Sequence, residues 1–206
     1  FLGRPIIAYT IEAAKTSNCF SRIIVSTDCE KTKEIALSCG AEVPFMRPDD
    51  ISDDYSTTAD VIKHAINWLS ENNVPTKLIC CLYATAPFIR TSDLIDGKNQ
   101  LNDDPQASYA LSVTSFPFPI QRALKIKNQK LEMFQSEHLL TRSQDLEEAY
   151  HDAGQFYWGR PDAFMNDIPM LSNASIPINM PRHLVQDIDT EEDWIRAELL
   201  YEVNNK

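Results

Sequence analysis

The stretch LICCLYATAPFIRTSDL, residues 78–94, holds one complete unit of the fold. Residues 77–84 are apolar and short, the mark of a buried strand. Thr91-Ser92-Asp93 then starts a helix that runs to about residue 102. Between the two lies a polar turn, Thr85-Ala86-Pro87. A strand, a short polar loop and a helix in that order is the beginning of a βαβ unit.

Working outward, the same alternation recurs. Residues 6–17 (IIAYTIEAAKTS) carry Ile7, Ile11 and Ala14 at helical spacing, with Pro5 where a first-turn proline is tolerated. Residues 22–26 (RIIVS) are β-branched and read as a buried strand. Residues 30–38 read as a helix closed by Gly40, and residues 43–46 as another strand. A loop over residues 47–55 (RPDDISDDY) precedes a helix capped by Ser56 or Thr57 and reaching about Leu69. Residues 108–116 and 155–158 are further strands. Thr190 caps a last helix over residues 191–203. This pattern predicts a three-layer α/β domain, Rossmann-like, with a mostly parallel sheet. Within that single domain of residues 1–206, the texture changes at residues 123–149. ALKIKNQKLEMF predicts two short strands about an Asn128-Gln129 turn, and residues 136–149 are polar. They form a candidate arm.

Composition narrows the function. Thirty Asp and Glu oppose 19 Lys and Arg, a net charge of −11, which argues against a nucleic-acid footprint. The acidity leaves room for a divalent cation held by carboxylates. No stretch reaches the ~18 apolar residues of a membrane span, and no signal peptide is evident. The five cysteines form no C-x-x-C pair. Cys80 and Cys81 sit in the apolar strand as small hydrophobes, so reduced thiols in a cytoplasmic protein are expected.

In open α/β sheets, ligands bind beyond the carboxyl ends of the strands. Four polar clusters follow predicted strands: Thr27-Asp28, Arg47-Pro48, Thr85-Ala86-Pro87, and Asp187 with Asp189 after a short strand at residues 183–186 (HLVQ). Each has a plainer reading as a cap, a solvated charge or a turn. Asp187 and Asp189 fall on one side of an extended segment. There they repel unless a cation or a shared proton intervenes.

Taken in order, IIVSTD (residues 23–28), RPDDISDD (47–54), LYATAPFIRT (82–91), DAGQFYWG (152–159) and QDIDTEEDW (186–194) resemble the acylneuraminate cytidylyltransferases. The resemblance spans almost the whole chain. DAGQFYWG and YATAPFI are most similar to the branch acting on pseudaminic acid. It implies transfer of CMP from CTP to a nine-carbon sugar acid for bacterial surface glycans or flagellin, with release of pyrophosphate. It also implies Mg²⁺ on Asp187 and Asp189, the catalytic pair. Arg47, Thr85 and Ala86 correspond to nucleotide contacts, although the family often has Ser at the Ala86 position. Gln121, Arg122, Gln155 and Tyr157 become candidates for the sugar, and Arg142 and Gln144 match an R-x-Q stretch. The arm implies a homodimer. The family's Gly-rich basic phosphate loop has no counterpart, since residues 1–6 resemble the segment just after it. Little catalysis is therefore expected from these residues alone. The rival readings are a sialic or legionaminic acid synthetase and a non-catalytic nucleotide-fold interaction protein.

Overall fold

The computed structural model describes residues 1–204. Its sheet has four strands: β1 (Ile79–Leu82), β2 (Tyr109–Ser115), β5 (Tyr150–Gly159) and β6 (Ser175–Asn179), in the order β1-β5-β2-β6. Strands β1, β2 and β6 point one way. β5 lies between β1 and β2 and runs against both, while β2 and β6 pair in parallel.

Period-two alternation along β5 divides the core into two layers. Phe156 and Trp158 face one side with Ala110 and Ile178, under Leu94 and Leu101 of α4 (Thr91–Asp103). Tyr157 faces the other side with Tyr109 and Leu111. There Ile62 and Ile66 of α3 (Thr58–Glu71) and Phe164 of α5 (Pro161–Met165) cover it. Fully burying each such side chain contributes about 1.5–3 kcal/mol. α4 approaches β5 closely at Gly97, where a Cβ would lie 2.8 Å from the Trp158 ring. In that layer Trp158 Nε1 donates to Leu94 O at 3.1 Å. Helices thus cover both faces, as the alternation predicts. The thiols behave as small hydrophobes: all five are free, and burial pushes Cys81 up to about 12.

Helix starts follow the sequence closely. Thr57 and Asp60 form a reciprocal capping box at α3. α1 (Ile7–Ser17) and α2 (Glu30–Ser38) occupy the expected segments, with Gly40 at φ +85° just beyond α2.

Two expected strands shrink. Residues 22–26 keep only a parallel bridge, from Ile24 to Glu42, and residues 43–46 form no strand. Glu42 N donates to Ile23 O and Val25 N donates to Glu42 O. The next donor in a parallel ladder would be residue 44, which is Pro44 and has no N–H. The expected strand at residues 183–186 is also absent. Arg182–Leu184 make a 3₁₀ turn instead.

The arm carries the predicted hairpin, β3 (Leu124–Lys127) and β4 (Lys130–Met133). Asn128 and Gln129 both take positive φ, 51° and 59°, as a two-residue primed turn requires. Leu124, Ile126, Leu131 and Phe134 are exposed on it.

The β2–β5 ladder contains one large irregularity. Leu111 pairs with Tyr157 but Val113 pairs with Asp152, so residues 153–156 all stand opposite Ser112. The Ser112 hydroxyl accepts from Gln155 N (3.3 Å) and Phe156 N (3.1 Å) and donates to Phe156 O (3.1 Å). Ser112 is fully buried, so deleting the hydroxyl leaves buried amides unpaired. Ser112→Ala is expected to destabilise the protein by about 2 kcal/mol, a fall in Tm of roughly 4–8 °C at this chain length. An unchanged thermal midpoint would remove the hydroxyl from this role.

Candidate active site

The bulge places residues 152–155 at the carboxyl edge of β1 and β2, where this class of sheet binds ligands. Gly154 sits there at φ +60°, a conformation that disfavours side chains. Asp187 lies over it, with Oδ1 4.0 Å from where a Gly154 Cβ would be. Asp187 and Asp189 are exposed, while Ile188 between them packs among Phe1, Tyr9, Phe88 and Trp194. The inward Ile188 turns both acids outward, as the extended reading expects.

Asp193, a third aspartate of this stretch, is committed elsewhere. Asp193 Oδ2 accepts from Thr190 N (3.0 Å) and the Thr190 hydroxyl (2.7 Å), and its Oδ1 accepts from Gln186 Nε2 (3.1 Å). The Thr190 hydroxyl bond is the main reason that the Asp193 carboxyl lies below its usual range. Thr190 thus caps α6 (Glu191–Asn204). Among the described residues, Asp187 and Asp189 are in no ion pair, and no three His, Cys, Asp or Glu groups form a cage for a metal. Two free carboxylate oxygen donors with the remaining positions open suit a hard dication that keeps waters and takes phosphate oxygens.

On β5, Tyr157 is buried and donates its hydroxyl to Asp152 Oδ2 at 2.5 Å, while Gly154 N donates to Asp152 Oδ1 at 2.8 Å. Burial first, then the Asp152 carboxylate and the Tyr83 hydroxyl, push the Tyr157 phenol well above its usual range. Tyr83 continues the chain, with its hydroxyl 3.2 Å from Thr58 Oγ1 and its ring edge-on to Tyr157. Gln155 is buried, and its Nε2 donates to Leu184 O at 2.6 Å.

Thr85 is exposed and Ala86 buried in the turn after β1. α1 fixes that turn: Thr10 Oγ1 donates to Tyr83 O at 3.0 Å or to Ala86 O at 3.3 Å. The structure therefore sets Asp187 over Gly154, next to Gln155, whose carbonyl holds the start of the Thr85-Ala86 turn, with Tyr157 tied to Asp152 two residues before Gly154; Asp189 follows Asp187 by two residues. Arg47 belongs to a neighbouring cluster. Its guanidinium donates to Asp28 Oδ1 (3.1 Å) and Ser52 Oγ (3.0 Å), and its backbone N donates to Thr27 O (2.9 Å). The acidic loop that follows leads to Thr58 and so to Tyr83. Gln121 and Arg122 stand apart at the base of the arm. Gln121 Nε2 donates to Glu147 O (2.9 Å), and Arg122 Nη1 donates to Ser143 Oγ (3.4 Å). Arg142 pairs with Asp145. Sequence reasoning assigned no role to Asp152, Tyr83 or Ser112. Asp152 is bonded within its own strand across the bulge, Tyr83 meets Thr58 of α3 and Ser112 meets β5, and only the positions of Asp152 and Tyr83 in quoted motifs hinted at them.

This is a three-layer α/β domain with two exposed carboxylates at the edge of its sheet. The chain belongs to the cytidylyltransferase family, whose model matches residues 1–201. A pseudaminic acid cytidylyltransferase of Campylobacter jejuni serotype O:2 is 40% identical over all of this chain and 89% of the relative. A CMP-N,N'-diacetyllegionaminic acid synthase of Legionella pneumophila is 28% identical over 99% of this chain and 88% of that relative. Among solved structures, a CMP:2-keto-3-deoxy-manno-octonic acid synthetase complexed with CTP superposes with a TM-score of 0.68 at 14% identity. The match covers 98% of this chain and 90% of that one, and it shows the shared fold. This protein is an enzyme of that family.

The Tyr157 shift gives a pH test. Its folded pKa is raised, so the stability it contributes is intact below the unfolded value of about 10 and is lost as pH rises beyond it. Unfolding midpoints between pH 9 and 11 should fall more steeply for the wild type than for Tyr157→Phe. Parallel curves would contradict the Tyr157–Asp152 bond.

Proposed function

We propose that this enzyme transfers CMP from CTP to pseudaminic acid. The sugar's anomeric hydroxyl attacks the α-phosphorus. One oxygen–phosphorus bond forms, the bond to pyrophosphate breaks, and the hydroxyl proton is released. The observation that carries this reading is 40% identity, over all of this chain and 89% of the relatives, with proteins named for that reaction. Catalysis of this type rests on positioning and charge neutralisation.

Asp187 and Asp189 are assigned to hold Mg²⁺, supported by their exposure and by their lack of ion-pair partners among the described residues. When bound, the cation supplies charge for the phosphate oxygens and acidity for the attacking hydroxyl. Arg47 supplies a fixed positive charge to the nucleotide, oriented by Asp28 and Ser52. Thr85 and Ala86 line the nucleotide side through a turn that α1 holds. For the sugar acid, we assign Tyr157 with its partner Asp152, and Gln121 and Arg122 at the arm base. The arm's exposed Leu124, Ile126, Leu131 and Phe134 support self-association as a homodimer, since an isolated hairpin is marginal in water. Five free thiols support a reducing, cytoplasmic setting. No helix among the described residues is long and apolar enough to cross a membrane.

Three measurements on the full-length protein test these assignments. With CTP and separate pseudaminic, legionaminic, sialic and 3-deoxy-octulosonic acids, kcat/KM should be highest for pseudaminic acid; preference for another acid overturns the substrate. Asp187→Asn and Asp189→Asn should each lower kcat roughly 100-fold or more while leaving Tm nearly unchanged. Wild-type turnover in either variant removes the metal role. Light scattering at micromolar concentration should give a dimer mass, and a monomer would overturn the arm's assignment.

A further inference from the structure

Gln155 is 1% exposed yet polar, between Ala153 and Phe156 of the apolar core. Its Oε1 is buried with no hydrogen-bond partner among the described residues. Burying a half-satisfied amide costs free energy that an apolar side chain would avoid. What the amide does make is one short bond, from Nε2 to Leu184 O at 2.6 Å. That carbonyl belongs to the last residue of the Arg182–Leu184 turn, just ahead of Asp187, and Leu184 and Ile188 both pack into the Phe1–Tyr9 cluster. The backbone carbonyl of Gln155 accepts from Tyr83 N at 3.0 Å, at the start of the Thr85-Ala86 turn.

We infer that Gln155 is a positioning residue for the carboxylate pair. By fixing Leu184 O against β5, it sets the path of residues 185–189 across Gly154, and with it the separation and aim of Asp187 and Asp189. It acts on the cation through the segment that bears the ligands and does not itself touch the cation. Through its backbone it also sets the first turn after β1 in register with that segment. The inference rests on the metal role proposed for the two aspartates, which it deepens.

The test uses full-length protein and Mn²⁺ alone, with binding read from the EPR signal of free Mn²⁺ and Tm recorded in parallel. Gln155→Met keeps bulk and removes the donor. Gln155→Asn keeps the amide but shortens its reach, and serves if the first variant fails to fold. Asp187→Asn is the reference. Asp187→Asn should abolish binding, and either Gln155 variant should raise the Mn²⁺ Kd about tenfold, the scale of losing an outer partner of a metal site. A merely structural role would lower Tm without moving Kd. An unchanged Kd in both Gln155 variants, with binding lost in Asp187→Asn, overturns the positioning role and leaves the metal site standing. Wild-type binding in Asp187→Asn overturns both.

Discussion

One buried hydroxyl underlies the site. Ser112 serves three backbone groups of β5 at the place where its ladder with β2 slips. Without a polar group there, the extra residues of β5 would bury unpaired amides, and the ladder would favour regular pairing. With it, β5 can carry a wide bulge at low cost, as strands beside active sites often do. The bulge puts Gly154 in the left-handed region, which clears space beneath Asp187 and turns Asp152 back toward Tyr157.

Three segments are joined through this point. Gln155 reaches Leu184 with its side chain and Tyr83 with its backbone. The hydroxyls of Thr58, Tyr83 and Tyr157 lead from the end of the acidic loop to Asp152. Each member of that chain is held by a neighbour, so a group at one end cannot shift without disturbing the other. Rigidity of this kind suits the proposed transfer, which rests on placement.

The acidic stretch at residues 186–194 shows how one composition serves two purposes. Thr190 recruits Asp193 into a cap, and this bond set removes one carboxylate from chemistry. Ile188 is drawn into an aromatic cluster, and this leaves Asp187 and Asp189 pointing outward. Capping, packing and exposure are set by single residues in a run that is otherwise uniform in charge.

Much of this was legible in the sequence because it is local. Apolar alternation, the Thr57 and Thr190 caps and the Asn128-Gln129 turn depend on neighbours within a few positions, and the helices and hairpin fall where those signals place them. The ordered motifs marked the family, and the spacing of Asp187 and Asp189 about an apolar residue anticipated that both would be exposed. The missing ladder at residues 43–46 was also written in the chain, in Pro44, but its effect depends on which strand lies alongside. Only the tertiary structure decided that β5 runs against its neighbours and that its bulge is satisfied by Ser112. It also decided that Gln155 turns inward to Leu184 and that Gln121 and Arg122 lie at the base of the arm. These are contacts between residues tens of positions apart, set by register and packing, and no periodicity along the chain encodes which strand will be the neighbour.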